Sequence, residues 1–211
     1  MIVTGRVNKL EDGLVHVSAP LRLPEGYRIS AECDIYLSDG RSITPDQRRK
    51  AWALLGDIAN YNGDDGKALN ETLKAKFCAE HGVEHFSLSN ADRTTAREYI
   101  TFLINFCLAW DIPCYDSLLN RTDDIDRYLY LCLYHRKCCL CGKKADLHHV
   151  DTVGAGRDRR KIHHLGLLSE ALCRKHHNEV GRIGQQTFDD KYHIYGIKLD
   201  EILCRRLGVP A

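Results

Sequence analysis

The chain has no apolar run long enough to span a bilayer, which argues against an integral membrane protein. Its first residues, "MIVTGRVNKL", lack the basic-then-apolar order of a secretory leader, so a cytosolic location is expected. No internal repeat and no low-complexity tract is visible. Net charge is nearly absent, at +1 over 211 residues. Hydrophobic residues make up 44% and charged residues 28%, the balance of a folded chain rather than a disordered one. The charge is uneven, however. From His135 to Lys175 there are ten Lys and Arg against four Asp and Glu. A locally basic segment in a neutral chain points to one anionic partner surface rather than to general stickiness.

Ten cysteines in a cytosolic chain are a poor fit to a disulfide framework. Cys33, Cys78, Cys107, Cys114, Cys132 and Cys204 stand alone in apolar or mixed surroundings, and read as small buried hydrophobes. The other four fall in two spaced groups. Cys138-x-x-Cys141 is a knuckle spacing, and Cys173-x-x-His176 repeats it downstream. Each spacing lets two side chains reach one ion from a tight turn, and two turns supply four tetrahedral ligands. Cys138, Cys141, Cys173 and His176 are therefore expected to hold a structural Zn²⁺. Cys139 is the alternative to Cys138, but its spacing to Cys141 fits poorly.

Seven of the eleven histidines lie between positions 148 and 193, a concentration that packing alone does not explain. His148, His149, His163, His164 and His177 remain outside the zinc set. "DLHHV" reads as the end of a short strand. "SEALCRKHHNEV" reads as the start of a helix with Ser169 as its cap. On that helix His176 and His177 diverge by about 100°, so one can face the zinc while the other faces a second site.

Elsewhere the coarse pattern is strands, then helices. "RVNKLEDGLVHVSAP" reads as a hairpin turning at "EDG", and "ECDIYLSDGRS" as a further strand. Thr44, Pro45 and Gln47 predict a capped helix with Ala51, Trp52, Leu54, Leu55 and Ile58 on its apolar stripe. A second helix is expected over residues 68–80, ended by Gly82. A third, capped by Ser89, should bury Tyr99, Ile100, Leu103, Ile104 and Cys107, and stop before Pro113. "CYDSLLNRTDDID" reads as a connector. Thr122 or Asp123 would cap the next helix, "DIDRYLYLCLYHR". The expected fold class is α+β, with a domain boundary near Asn120. Residues 1–120 would form a small sheet with a helical domain, and residues 121–211 a zinc-framed domain.

"LHHV", a glycine-rich loop and "LCRKHHNEV", framed by two zinc pairs, resemble an HNH endonuclease of the ββα-metal type. More narrowly, "DDIDRYLYLCLYHRKCCLCGKKADLHHVDTVGAGRDRRKI" is similar to the HNH nucleases of bacteriophage recombination regions. "DIYLSDGRSITPDQRRKAWALLGDIA" and "FSLSNADRTTAREYITFLINFCLAWDIP" resemble the NinB recombination mediators, so the likeness covers nearly the whole chain. It implies a metal-dependent nuclease hydrolysing DNA phosphodiester bonds in phage recombination or replication, within a bacterial host cytoplasm. His149 would be the general base, and His148 and His177 would bind a catalytic Mg²⁺ or Mn²⁺. The asparagine usual in the middle of the motif has no counterpart in "KIHHLGLLSEALC", where the resemblance implies that His164 or His163 would take the role. Some relatives carry a histidine four residues after the one matching His177; here that position is Gly181. Arg157, Arg159, Arg160 and Lys161, following "VGAG", would clamp DNA phosphates.

The rival reading is a non-cutting, zinc-containing mediator that binds single-stranded DNA. Trp52, Tyr61, Phe86 and Tyr99 could offer stacking faces, although helical spacing favours the core for Trp52 and Tyr99. The expected partners are single-stranded or branched DNA and a single-strand-binding or recombination protein. Mediator-like proteins often assemble, which extends the expectation to an oligomer. No membrane partner is expected.

Overall fold

The computed structural model describes residues 6–18, 41–150 and 163–211. The expected strand over residues 32–42 falls almost wholly outside them, as do Cys33 and the basic residues Arg157, Arg159, Arg160 and Lys161.

The first element is the expected hairpin. Strands β1 (Arg6–Glu11) and β2 (Leu14–Ser18) pair antiparallel, with Glu11 opposite Leu14. Asp12 and Gly13 turn the chain with φ of 48° and 78°. Two successive positive φ values match the right-handed twist of paired strands, and Asp-Gly adopts them at low cost.

Three long helices follow: α1 (Pro45–Asn62), α2 (Gly66–His81) and α3 (Arg93–Ala109). The cap of α1 is the predicted box. Thr44 N–H donates to Gln47 Oε1 at 3.0 Å, and Gln47 N–H donates to Thr44 Oγ1 at 3.1 Å. Their facing stripes bury Leu54, Leu55, Ile58, Phe77, Tyr99, Ile100, Leu103 and Ile104. Trp52 departs from its expected place and is 40% exposed. At about 100° per residue it lies about 140° round the helix from the middle of a stripe centred on Leu54 and Ile58, on the side turned away from that stripe.

Asp92, not Ser89, caps α3, its Oδ1 accepting from the N–H groups of Thr94 and Thr95 at 3.0 Å each. Residues 88–90 form a separate turn, with Asn90 N–H and Ala91 N–H donating to Ser87 O, and residues 41–43 then pair beside Asp92: Ile43 N–H donates to Ala91 O, and Arg93 N–H to Arg41 O. The connector carries one turn of helix, α4 (Leu118–Arg121), and ends in α5 (Ile125–His135). Asp124 caps α5 in place of the expected Thr122 or Asp123. Thr122 Oγ1 instead accepts from Asp124 N–H, and Asp123 pairs with Lys50.

Helix α5 packs on α3 and also on the C-terminal sheet, and one hydrophobic cluster runs from Ile43 to Leu207. That sheet is three short antiparallel strands in the order β3 (Asp146–His149), β4 (Leu168–Leu172), β5 (Ile197–Lys198). Helices α6 (Arg174–Ile183), α7 (Gln185–Tyr192) and α8 (Glu201–Leu207) complete it. The class is α+β. "SEAL" is strand rather than helix start, and α6 begins after Cys173. Ser169 through Leu172 are all buried in the middle strand, so both faces are covered and periodicity carries no helical signal. No helix among the described residues is long and apolar enough to cross a membrane.

Candidate metal centre and histidine cluster

The four predicted ligands come together. One donor atom from each of Cys138, Cys141, Cys173 and His176 lies within 4.8 Å of every other. Cys138 Sγ is 3.2 Å from His176 Nδ1, Cys173 Sγ is 3.4 Å from the same nitrogen, and Cys141 Sγ is 3.7 Å from Cys173 Sγ. A tetrahedron with ligand bonds of about 2.0–2.3 Å has edges of roughly 3.3–3.8 Å. The donor set and its size therefore fit a structural metal of the zinc type.

Local backbone builds each half of this centre. Helix α5 ends on Arg136 in the left-handed conformation, φ 54°. The chain then folds back on itself: Cys138 N–H donates to Lys143 O at 2.7 Å and Gly142 N–H to Cys138 O at 2.8 Å. Gly142 has φ 67°, a value that favours glycine in so tight a turn. The second half is the start of α6, where Cys173 is the N-cap and His176 lies in the first turn. Burial pushes the Cys138 thiol up to about 12, so metal binding must displace a proton there.

Cys139 stays out of the donor group. Its N–H donates to Ala171 O at 3.0 Å, and its carbonyl accepts from Tyr128 Oη at 2.6 Å, which fastens the knuckle to β4 and α5. Among the lone cysteines, Cys107, Cys132 and Cys204 are buried as expected, whereas Cys78 and Cys114 are only half-buried.

Four of the five remaining histidines form two pairs around β3. His148 and His177 meet edge to face, with ring centroids 4.7 Å apart. His149 and His164 lie 5.0 Å apart at 47°. Adjacent strand residues point to opposite faces, so the two pairs occupy the two sides of the sheet. Cross-strand register sets His148 opposite Glu170 and His149 opposite Ser169. His164 is buried at 3% exposure, and its Nδ1 has no hydrogen-bond partner among the described residues. His163 is exposed and turned toward the C-terminus, with Nδ1 2.9 Å from Ala211 O. His164, not His163, thus stands beside His149.

Two imidazoles bound to one ion, each with a nitrogen about 2 Å from it, bring their ring centres to roughly 5 Å. The His148–His177 pair at 4.7 Å meets that condition, and so does the His149–His164 pair at 5.0 Å. On α6, a Cβ added at Gly181 would find nothing within 4 Å, so the surface next to the His148–His177 pair is open there.

Three neighbours of His148 carry no signal in the histidine spacing. Gln185 Oε1 lies 2.8 Å from His148 Nε2. Gln185 Nε2 donates to Glu170 Oε2 at 3.2 Å and to Asp189 Oδ1 at 2.7 Å. Glu170 is 3% exposed, and burial together with the Asp189 charge pushes it up to about 7. Burial also raises Asp189. A lone acid inside the apolar string "LSEAL" was the available clue to Glu170; Gln185 and Asp189 had only their one-turn separation.

Residues 17–209 match a family model described as "Putative HNHc nuclease". No curated protein matches, and no solved structure matches.

Proposed function

The chain belongs to the HNHc nuclease family, and from that premise we propose that it is a metal-dependent endonuclease that hydrolyses DNA phosphodiester bonds. The observation that carries the reading is the convergence of His148 and His177 at 4.7 Å beside a zinc-type centre. On this reading Cys138, Cys141, Cys173 and His176 hold Zn²⁺ and have no part in the chemistry.

Hydrolysis of a phosphodiester needs a deprotonated water, charge neutralisation at the phosphate and a stabilised leaving oxygen. His149 takes the water proton. A neutral imidazole suits that task because its ordinary pKa lies near cellular pH. His164 packs against the ring of His149 and restricts its rotation. His148 and His177 hold the second cation. A divalent ion such as Mg²⁺ or Mn²⁺ would supply Lewis-acid stabilisation there, with water and phosphate oxygens filling the remaining positions. Arg157, Arg159, Arg160 and Lys161, which lie outside the described residues, would clamp DNA phosphates.

The test is cleavage of single-stranded, double-stranded and branched DNA with Mg²⁺, Mn²⁺ or EDTA, beside a His149→Ala variant. An imidazole pair also accepts softer ions, so Ni²⁺ and Zn²⁺ belong in the same assay. Cation-dependent cutting that the variant lacks is the expected result. No cutting by the wild type under any of these ions, or equal cutting by the variant, overturns the proposal.

A second reading keeps the fold and drops the cutting: a NinB-like mediator of phage recombination that binds single-stranded DNA through residues 1–120. Its support is the exposure of two rings on α1, Trp52 at 40% and Tyr61 at 56%. Nine helical residues separate them, which puts them about 180° apart. They cannot form one stacking platform, and this reading therefore ranks second. Tight binding without cleavage in the same assay would favour it.

A further inference from the structure

We propose that Gln185 is a positioning residue that fixes His148 with its proton on Nε2, leaving Nδ1 as the nitrogen offered to a cation. The proposal rests on the reading of His148 as a metal-binding histidine.

Three elements meet at this amide. His148 lies on β3, Glu170 faces it from β4, and Gln185 and Asp189 are one turn apart at the start of α7. A glutamine amide can be reversed end for end without a change of shape, so its orientation must be argued from its neighbours. Here the neighbours decide. One end of the amide lies 3.2 Å from Glu170 Oε2 and 2.7 Å from Asp189 Oδ1. Even where the two acids share one proton, three of their four oxygens remain pure acceptors, and Asp189 Oδ1 at 2.7 Å stands foremost, so this end calls for the NH₂ group, which has two protons to donate. The reversed amide would set its oxygen against both acids in a site where Glu170 is 3% exposed and little water can intervene.

With the NH₂ group turned to the acids, the amide oxygen faces His148 Nε2 at 2.8 Å. An amide oxygen only accepts, so Nε2 must carry the proton and donate it. In a neutral imidazole the other nitrogen then holds the lone pair. Metal-binding histidines in general have their second nitrogen fixed by such an outer partner, which sets ring angle and basicity together. Glu170 and Asp189 act one step further out. They hold the amide in the orientation that holds the ring.

The arrangement also explains why a buried acid sits inside an otherwise apolar strand. Glu170 would be costly in the middle of β4 without a donor. Gln185 supplies one, and its other end is thereby aimed at β3.

The tautomer is read directly by long-range proton–nitrogen NMR on the ¹⁵N-labelled full chain, zinc-loaded and with no second cation added. His148 is expected to carry its proton on Nε2. In Gln185→Leu the ring should become a mixture of tautomers, with zinc content unchanged, and Mn²⁺ affinity should fall by about 10- to 100-fold. A wild-type spectrum with the proton on Nδ1, or an unchanged tautomer in Gln185→Leu, overturns the proposal. The wild-type spectrum decides even where the variant folds poorly. Titration with Mn²⁺ then tests the underlying reading separately. If Mn²⁺ fails to broaden the His148 and His177 signals, the metal-binding assignment falls, while the cation-free spectrum still decides the tautomer.

Discussion

Residues 45–109 and residues 137–207 close their interiors by different means. The first region has three helices of 16 to 18 residues, each with an apolar stripe long enough to bury a full row of side chains. The second has strands of two to five residues and helices of seven to ten. Each element of that size buries only a few side chains, such as Leu172 on β4, Phe188 on α7 and Leu203 on α8. Cys138, Cys141, Cys173 and His176, from a knuckle and a helix start, are placed so that a shared metal would add a tie there. The long-helix region is held by area alone, whereas the short-element region combines a smaller core, with Leu172, Phe188, Leu199 and Leu203 fully buried, with four donors gathered at one point. The consequence is functional as well. With part of the tie gathered at the four donors, the small sheet can carry histidines on both faces beside its apolar core.

The largest effect should come from removing that point. Cys173→Ser, or prolonged EDTA treatment, should abolish zinc binding and unfold the region after Lys137. Structural zinc contributes on the order of 10–16 kcal/mol in small domains. Far-UV circular dichroism should show only partial loss, since α1, α2 and α3 need no metal. Zinc retained at one equivalent by Cys173→Ser would sink the clip assignment, and complete unfolding would show that the helical region depends on it too.

His149→Ala should separate chemistry from stability. Cutting should fall by about 10²- to 10⁴-fold, the usual contribution of a general base. Zinc content and melting temperature should stay at wild-type values, because His149 lies outside the donor group. A variant that loses zinc as well would mean that the two sites are one structural unit.

Leu103→Ala addresses the other region. Leu103, on α3, is fully buried, and such truncations cost about 2–5 kcal/mol. Urea denaturation should show that loss, with zinc content intact in the folded protein. Zinc release at low urea, before the helices melt, would show that the regions unfold separately.

How far the sequence could be read follows the same division. The helices were legible because their stripes repeat over four or five turns and their caps are local: Thr44, Gln47 and Gly82 act where they stand. The errors there were small, as at α3, where a separate turn over residues 88–90 and the pairing of residues 41–43 beside Asp92 go with a cap at Asp92 rather than Ser89. In the second region the metal ligands were legible from spacing alone, since a tight turn fixes which residues can share an ion. The strand β4 was not. Its four buried residues give no alternation, and the histidines after it drew the helix start too far back, to Ser169. Gln185, Glu170 and Asp189 were invisible for a different reason. They meet through strand register and the position of α7, neither of which leaves a mark in nearest-neighbour spacing.

The smallest effect tests whether a local signal remains local. Thr44→Ala removes the hydroxyl that accepts from Gln47 N–H, leaving one helix donor without its cap. The expected cost is about 1 kcal/mol. Gln47→Ala should cost more, although it removes the other half of the same box. Gln47 is 4% exposed, and its Nε2 also donates to Arg93 O at 3.1 Å, which joins the start of α1 to the start of α3. Its loss leaves that carbonyl without this donor as well as the Thr44 N–H without its acceptor. The ordering of the two variants in urea is therefore the measurement. If Thr44→Ala proves the more damaging, α1 is held at its start by its own cap. If Gln47→Ala does, the cap also serves as a tertiary tie, and even the most legible helix start depends on a contact 46 residues away.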